Sequence, residues 1–216
     1  MIRAVIFDMD GLLVDSEPLW QQARVESFGA DRLRWTETDQ TAVMGTGQQQ
    51  WAEYLAQRLE HVYSPEEIID RVVTRMEAYY RSHVPLLPGA REAVQRAAER
   101  YPLGLASGSS HRLIRAVLES TGWAGLFAEV MSSEDVPQGK PAPDIYLEIT
   151  RRLGIRPEEA AVLEDSANGI LSGHAAGVRV IAVPGDYLSP PDGVLRMADR
   201  VLSSLEDFSP EMLSDL

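Results

Sequence analysis

Two carboxylates, Asp8 and Asp10, stand two residues apart at the end of an apolar run in the segment VIFDMDGLLVDSEPLW, residues 5–20. Like charges that close repel one another, and burial raises the cost. Three more polar clusters lie downstream: Ser107-Gly108-Ser109 in LASGSS, Lys140 in GKPAPD, and Glu164-Asp165 in LEDSANG. If these clusters meet in one crevice, Asp8, Asp10, Glu164 and Asp165 cannot all stay ionised without a cation. Oxygen ligands with no His or Cys among them favour a hard ion, most simply Mg²⁺. Such an ion polarises phosphate oxygens. Lys140 brings a further positive charge and Ser107 a hydroxyl donor, and Ser109 or Ser110 caps a helix whose free N–H groups suit an anion. Cations and donors gathered round one group are what phosphoryl transfer requires.

The nucleophile follows by elimination. The chain has no cysteine and no serine beside a sequence-evident histidine base, whereas a carboxylate can attack phosphorus directly and form an aspartyl-phosphate. Asp8, at the strand tip, is the candidate. Asp10 then protonates the leaving alkoxide and later takes a proton from the water that hydrolyses the intermediate. Each group alone has a plainer reading. A lone D-x-D is a solvated turn, Lys140 a surface lysine, and Ser107 or Glu164-Asp165 helix caps. Their joint occurrence at strand ends is what favours chemistry.

The elements that must position these groups are legible in outline. Ile2–Phe7 reads as a short buried strand, and Leu103–Ala106, Glu129–Ser132, Ala161–Leu163 and Val178–Val183 as further strands, with an edge strand near Arg200–Leu202. Helical patterns separate them, one with Leu113, Ile114, Val117 and Leu118 on a face, another with Ile145, Ile149 and Leu153. Alternation of strand and helix predicts βαβ units and an α/β fold: a Rossmann-like parallel sheet core flanked by helices. In such sheets ligands bind beyond the carboxyl ends of the strands, where all the polar clusters fall.

The stretch 16–85 breaks the rhythm. It holds no convincing strand, and it holds the clearest helix of the chain, SPEEIIDRVVTRMEAYY, residues 64–80. Ser64 is its N-cap, Pro65 its first residue, and Glu67 closes a capping box. A second helix is expected around Gln48–Leu59. About seventy residues of all-helical cap are thus inserted into a core formed by 1–15 and 86–216. The tyrosines of the 64–80 helix read as core packing, as do Trp35 and Trp51; Trp20, next to the first motif, walls the pocket.

Composition narrows the function classes. The chain has 216 residues and a formal net charge of −13, so neither a nucleic-acid backbone nor an anionic membrane is an expected partner. Without cysteine, disulfides and zinc–thiolate sites are excluded. No apolar run is long enough to span a bilayer, and Asp8 and Asp10 interrupt the N-terminal one too early for a signal peptide. A cytoplasmic protein with a small phosphate ester as its partner, and no protein partner, is the expectation.

FDMDGLLVDSEPLW, LASGSS, GKPAPD and LEDSANG together resemble the haloacid-dehalogenase-like phosphohydrolase superfamily, in the branch of the beta-phosphoglucomutases and small sugar-phosphate phosphatases. The resemblance runs from residue 5 to 169 with a helical cap after the first motif. It implies Asp8 as nucleophile, Asp10 as acid/base, and Ser107 and Lys140 as phosphate ligands, with Gly108 and Ser109 in the same loop. It implies Mg²⁺ held by Asp8, the Asp10 carbonyl and Asp165, with Glu164 in support. Two departures bear on the reaction. The mutases of this branch place a His where Trp20 stands, and a Lys-Gly pair and an Arg where this chain has Met44-Gly45 and Gln48. A mutase holds a sugar bisphosphate by both ends and needs cations opposite the nucleophile, which this cap is expected to lack. Gly45 and Gln48, in GTGQQQ, instead read as a cap loop beside the substrate. Water is then the acceptor, and the protein a phosphatase of sugar or polyol phosphates; a hexose-phosphate mutase is the alternative, and a phospho-aspartate signalling module a more distant one.

Overall fold

A computed structural model describes residues 1–29, 33–43, 46–185, 187 and 189–216. Six parallel strands, β1 (Ala4–Phe7), β2 (Leu103–Ser107), β3 (Phe127–Ser132), β4 (Ala160–Glu164), β5 (Arg179–Ala182) and β6 (Arg200–Val201), lie in the order β3-β2-β1-β4-β5-β6. The first strand is central because its four residues AVIF are apolar on both faces and buried throughout, as a strand covered on both sides must be. Val5 and Phe7 face one core with Leu105, Leu163 and Ile181; Ile6 faces another with Ala106, Val162 and Val180. This is the period-two alternation of a strand, and each large side chain buried so stabilises the fold by roughly 1.5–3 kcal/mol.

Nine helices are seen among the described residues. Four follow β1: α1 (Glu17–Phe28), α2 (Glu37–Val43), α3 (Gln48–Arg58) and α4 (Pro65–Ser82). Then come α5 (Ala90–Ala98), α6 (His111–Thr121), α7 (Asp144–Arg152), α8 (Ala167–Ala176) and the short α9 (Asp192–Leu195). The helices α5 and α6 cover the Phe7 face, and α7 and α8 cover the Ile6 face. In α4 the Ser64 hydroxyl accepts from Glu67 N at 3.3 Å and the Glu67 carboxylate accepts from Ser64 N at 2.9 Å, the reciprocal capping pattern its sequence predicts. Its buried stripe is Ile68, Val72, Val73, Met76 and Tyr80.

The chain leaves and re-enters the core through one narrow junction. Asp15 N donates to Pro85 O at 2.8 Å and Leu87 N to Leu13 O at 3.0 Å. The cap then rests on the core through α4 and α6. Arg112, near the start of α6, donates to Asp70 at 3.0 Å, Thr74 at 3.1 Å and Glu77 at 2.8 Å, all on α4. The strands differ from their sequence outlines by a few residues at the ends. β1 starts at Ala4 because Arg3 N bonds Glu159 O, outside the ladder, and β2 runs on to Ser107 by pairing with Ser132.

Candidate active site

Three adjacent strands end at the same edge, and each delivers a polar group there. Asp8 follows β1, its N–H held by Leu163 O of β4 at 3.1 Å. Ser107 is the last residue of β2 and Glu164 the last of β4, with Asp165 next. Lys140 enters from the loop between β3 and α7. Its ammonium donates to Asp8 Oδ1 and Glu164 Oε1, both at 2.6 Å, and to Ala106 O at 2.9 Å. One cation thus ties the ends of three strands together. The Ser107 hydroxyl donates to Asp10 Oδ2 at 3.1 Å and accepts from Ser109 N at 2.9 Å.

Carboxylate oxygens of Asp8, Glu164 and Asp165 lie within 4.8 Å of one another. Burial, reinforced by the nearby Glu164 and Asp10, pushes the Asp8 carboxyl up to about 8 against the pull of Lys140. Burial likewise pushes Asp165 well above the usual carboxylate range, with Asp8 and Glu164 adding to it. Burial alone would lower the Lys140 ammonium; the Asp8 and Glu164 carboxylates outweigh it and hold Lys140 well above its ordinary value. Asp165 Oδ1 is buried with no hydrogen-bond partner among the described residues. An orphaned acceptor beside two further carboxylates is the donor set a hard divalent cation fits, and the buried polar atom has no other visible compensation. Two glycines make the cluster possible. A Cβ on Gly11, whose φ is 81°, would meet Asp165 Oδ2 at 2.2 Å. One on Gly169 would overlap the Glu164 carboxylate.

The other expected residues are placed as follows. Gly108 is exposed, and its carbonyl accepts from the Ser133 hydroxyl at 2.8 Å. Ser109 is buried, and Ser110 stands at the N-cap of α6 without a side-chain cap bond. His111 is the first residue of α6, but its backbone N–H is already taken by Glu134 at 3.0 Å, so fewer of that helix's amides are free than its sequence suggests. Trp20 is half-buried in α1 with its ring centroid 5.9 Å from that of Trp51. Gln48 opens α3, one turn before Trp51. Gly45 lies outside the described residues.

Three groups near the site were not singled out from sequence. Tyr80 of α4 is buried, as its stripe position predicts, yet it is more than packing: its hydroxyl donates to Asp10 Oδ1 at 3.4 Å. Tyr146 of α7 donates to Glu164 Oε1 at 2.6 Å, with the Lys140 ammonium 5.1 Å from its ring centre. The available signal was chemical: a tyrosine on a buried helix face must find a partner for its hydroxyl. The third is Arg24, a cation 4 % exposed within the cap. Its partner is Glu17, seven residues earlier on the same helix face, with 3.7 Å between the charged groups.

The haloacid dehalogenase-like hydrolase family model matches residues 2–177. Hexitol phosphatase B of Escherichia coli strain K12 is 38% identical over 217 residues, covering 98% of this chain and 96% of that protein. Among solved structures, CbbY from Rhodobacter sphaeroides in complex with phosphate superposes with a TM-score of 0.82 at 28% identity, covering 96% of each chain. A putative beta-phosphoglucomutase from Thermotoga maritima superposes with a TM-score of 0.78 at 29% identity over the whole of both chains. With its sheet order, its inserted helical cap and this carboxylate–lysine cluster, the chain belongs to the haloacid dehalogenase-like hydrolase family.

Proposed function

We propose that this protein is a Mg²⁺-dependent phosphatase of small phosphate monoesters, sugar or polyol phosphates above all, working through a phosphorylated Asp8. The observation that carries this reading is the Lys140 ammonium bridging Asp8 and Glu164 beside an Asp10 carboxylate held separately by Ser107 and Tyr80. Two carboxylates of one motif, with different partners, suit two different tasks.

In the first step an Asp8 carboxylate oxygen attacks phosphorus. The ester P–O bond breaks, and Asp10 gives its proton to the departing alkoxide. In the second, Asp10, now a carboxylate, takes a proton from water as that water attacks the acylphosphate. Inorganic phosphate leaves and the Asp8 carboxylate is restored. Lys140 and the Ser107 hydroxyl turn their donors from Asp8 and Asp10 to the phosphoryl oxygens, stabilising charge that builds there. Asp8 and Asp165, with Glu164 behind them and the Asp10 carbonyl, are the residues to hold Mg²⁺. When bound, the ion neutralises the carboxylates and polarises the phosphoryl group. The cap covers the site and keeps bulk water out. Hexitol phosphatase B supports the polyol phosphates as the substrate class, and a cytoplasmic location suits phosphorylated metabolites of that kind.

The test is a phosphate-release screen over metabolite esters, with Asp8→Asn protein as the blank. Release of phosphate from sugar or polyol phosphates by the parent protein alone is expected. A mutase would return an isomer, need a bisphosphate primer and release little phosphate; that outcome overturns the reading.

A further inference from the structure

Arg24 is a charged side chain buried inside a thin helical cap, and three tryptophans enclose it. Its guanidinium carbon lies 5.5 Å from the ring centres of Trp20 and Trp35 and 5.8 Å from that of Trp51. Nη1 is 3.7 Å from Glu17 Oε1, an ion-pair distance but longer than a hydrogen bond. Neither Nε nor Nη1 has a hydrogen-bond partner among the described residues. The same Glu17 oxygen has a second partner. Gln40 donates to it, and Gln40 is itself held by Trp35 Nε1 at 2.8 Å. Buried polar groups are nearly always paired, so a guanidinium with two nitrogens that make no hydrogen bond in an aromatic enclosure calls for an explanation that packing alone does not supply.

The location points to substrate. Glu17 is the first residue of α1, directly after the loop that carries Asp8 and Asp10. Glu17, Trp20 and Arg24 follow at helical spacing on one face. Glu17, Trp20, Trp35 and Gln40 are half-buried, with Arg24 behind them. Burial raises the Glu17 carboxyl, with Asp10 adding to the effect, so the two carboxylates share one electrostatic neighbourhood. Burial lowers Arg24 to about 10, and Glu17 opposes that shift. Each charge is sustained by the other, and the pair as a whole is neutral.

We propose that the Glu17–Arg24 pair with its tryptophan enclosure is the selectivity element of the cap, accepting a neutral, hydroxyl-rich leaving group and discriminating against one that carries a second anion. This rests on the phosphatase reading above and names what that site selects. The half-buried Glu17 carboxylate offers an acceptor to a substrate hydroxyl, while Arg24, sealed behind it, sets the charge of the enclosure. Indole faces match the C–H surface of a polyol. A second phosphate finds the buried cation of this cluster, Arg24, already neutralised by Glu17, with that carboxylate closer in sequence to the catalytic loop.

The proposal makes opposite predictions for its two members. Glu17→Gln leaves an unneutralised cation in the cap and should raise the ratio of kcat/KM for a hexose 1,6-bisphosphate over a hexitol monophosphate by tenfold or more. Arg24→Met leaves an unneutralised anion and should lower the same ratio. The double variant should return it towards the parent value. Arg24→Gln serves if the methionine variant fails to fold, since it also removes the cation, and should lower the ratio in the same way. Affinity is read separately by tryptophan fluorescence in the Asp8→Asn background, since three of the four tryptophans of the chain line this site. If the parent protein releases no phosphate from any ester, the phosphatase reading fails, and these binding ratios still test the selector. Folded single variants whose ratios, by turnover or by binding, stay equal to the parent's would overturn it and leave the pair a structural contact.

Discussion

Lys140 makes three short bonds with one ammonium, and its position depends on what holds its partners. Glu164 Oε1 accepts from both Lys140 and Tyr146. Replacing Tyr146 with Phe leaves the oxygen one donor short inside a buried cluster. The expected cost is about 1–3 kcal/mol, the range for leaving a buried acceptor unsatisfied, seen as a lower urea midpoint at unchanged slope. Asp10→Asn removes the proposed proton carrier and keeps the shape. Phosphate release should then slow by roughly 10²–10⁴-fold, in steady-state assays at saturating substrate. Turnover close to that of the parent would remove Asp10 from the acid/base role. At this scale the sequence is most readable. Asp8, Asp10, Ser107, Lys140, Glu164 and Asp165 stand out by type and by their place after apolar runs. Tyr80, Tyr146 and Arg24 do not, because a tyrosine or arginine in a helical stripe looks the same whether its polar end meets solvent or a carboxylate.

The elements add constraints no single residue carries. Asp39 of α2 is buried and accepts from Thr36, from the Tyr54 hydroxyl at 2.7 Å and from Arg58 Nε at 2.6 Å. Burial alone would raise its carboxyl, but these donors, Arg58 first, hold it far below the usual carboxylate range. A depressed carboxyl stabilises the fold fully above its unfolded value of about 4 and loses that contribution as pH falls further. Asp39→Asn should therefore cost about 1–3 kcal/mol at pH 7, and the gap to the parent should narrow below about pH 4. Denaturation across a pH series checks this; a constant gap would contradict it. Arg112 joins α6 to α4 across the cap–core boundary through a side chain 46% exposed. Exposed pairs contribute under about 1 kcal/mol to stability, so Arg112→Ala should scarcely move the melting temperature. If the cap closes over bound substrate, as proposed, the same variant should raise KM severalfold, because these bonds join α4 to α6. Sequence periodicity does not predict the helix α5: AREAVQRAA presents alanines where a periodic stripe would show large apolar residues, and only packing under the sheet reveals its inner face.

For the molecule as a whole, the carboxylate cluster couples ligand binding to stability. Mg²⁺ at a hundred times its dissociation constant should stabilise the folded protein by about 2.7 kcal/mol, and EDTA should remove both that gain and the activity. A melting temperature indifferent to Mg²⁺ would count against the metal site.

The sheet, the inserted helices and the chemical groups at the strand ends are legible in the sequence, because apolar period, capping residues and the short spacing between Asp8 and Asp10 are local properties of the chain. The sequence did not determine which donors meet which acceptors. Lys140 reaches Asp8 across 132 residues and Tyr80 reaches Asp10 across 70, and Arg24 became an interior charge only when Trp35, ahead of α2, and Trp51 of α3 closed on α1. Such pairings are decided by the parallel strand order and by the seating of the cap, which bring together residues whose separation in sequence carries no trace of their contact.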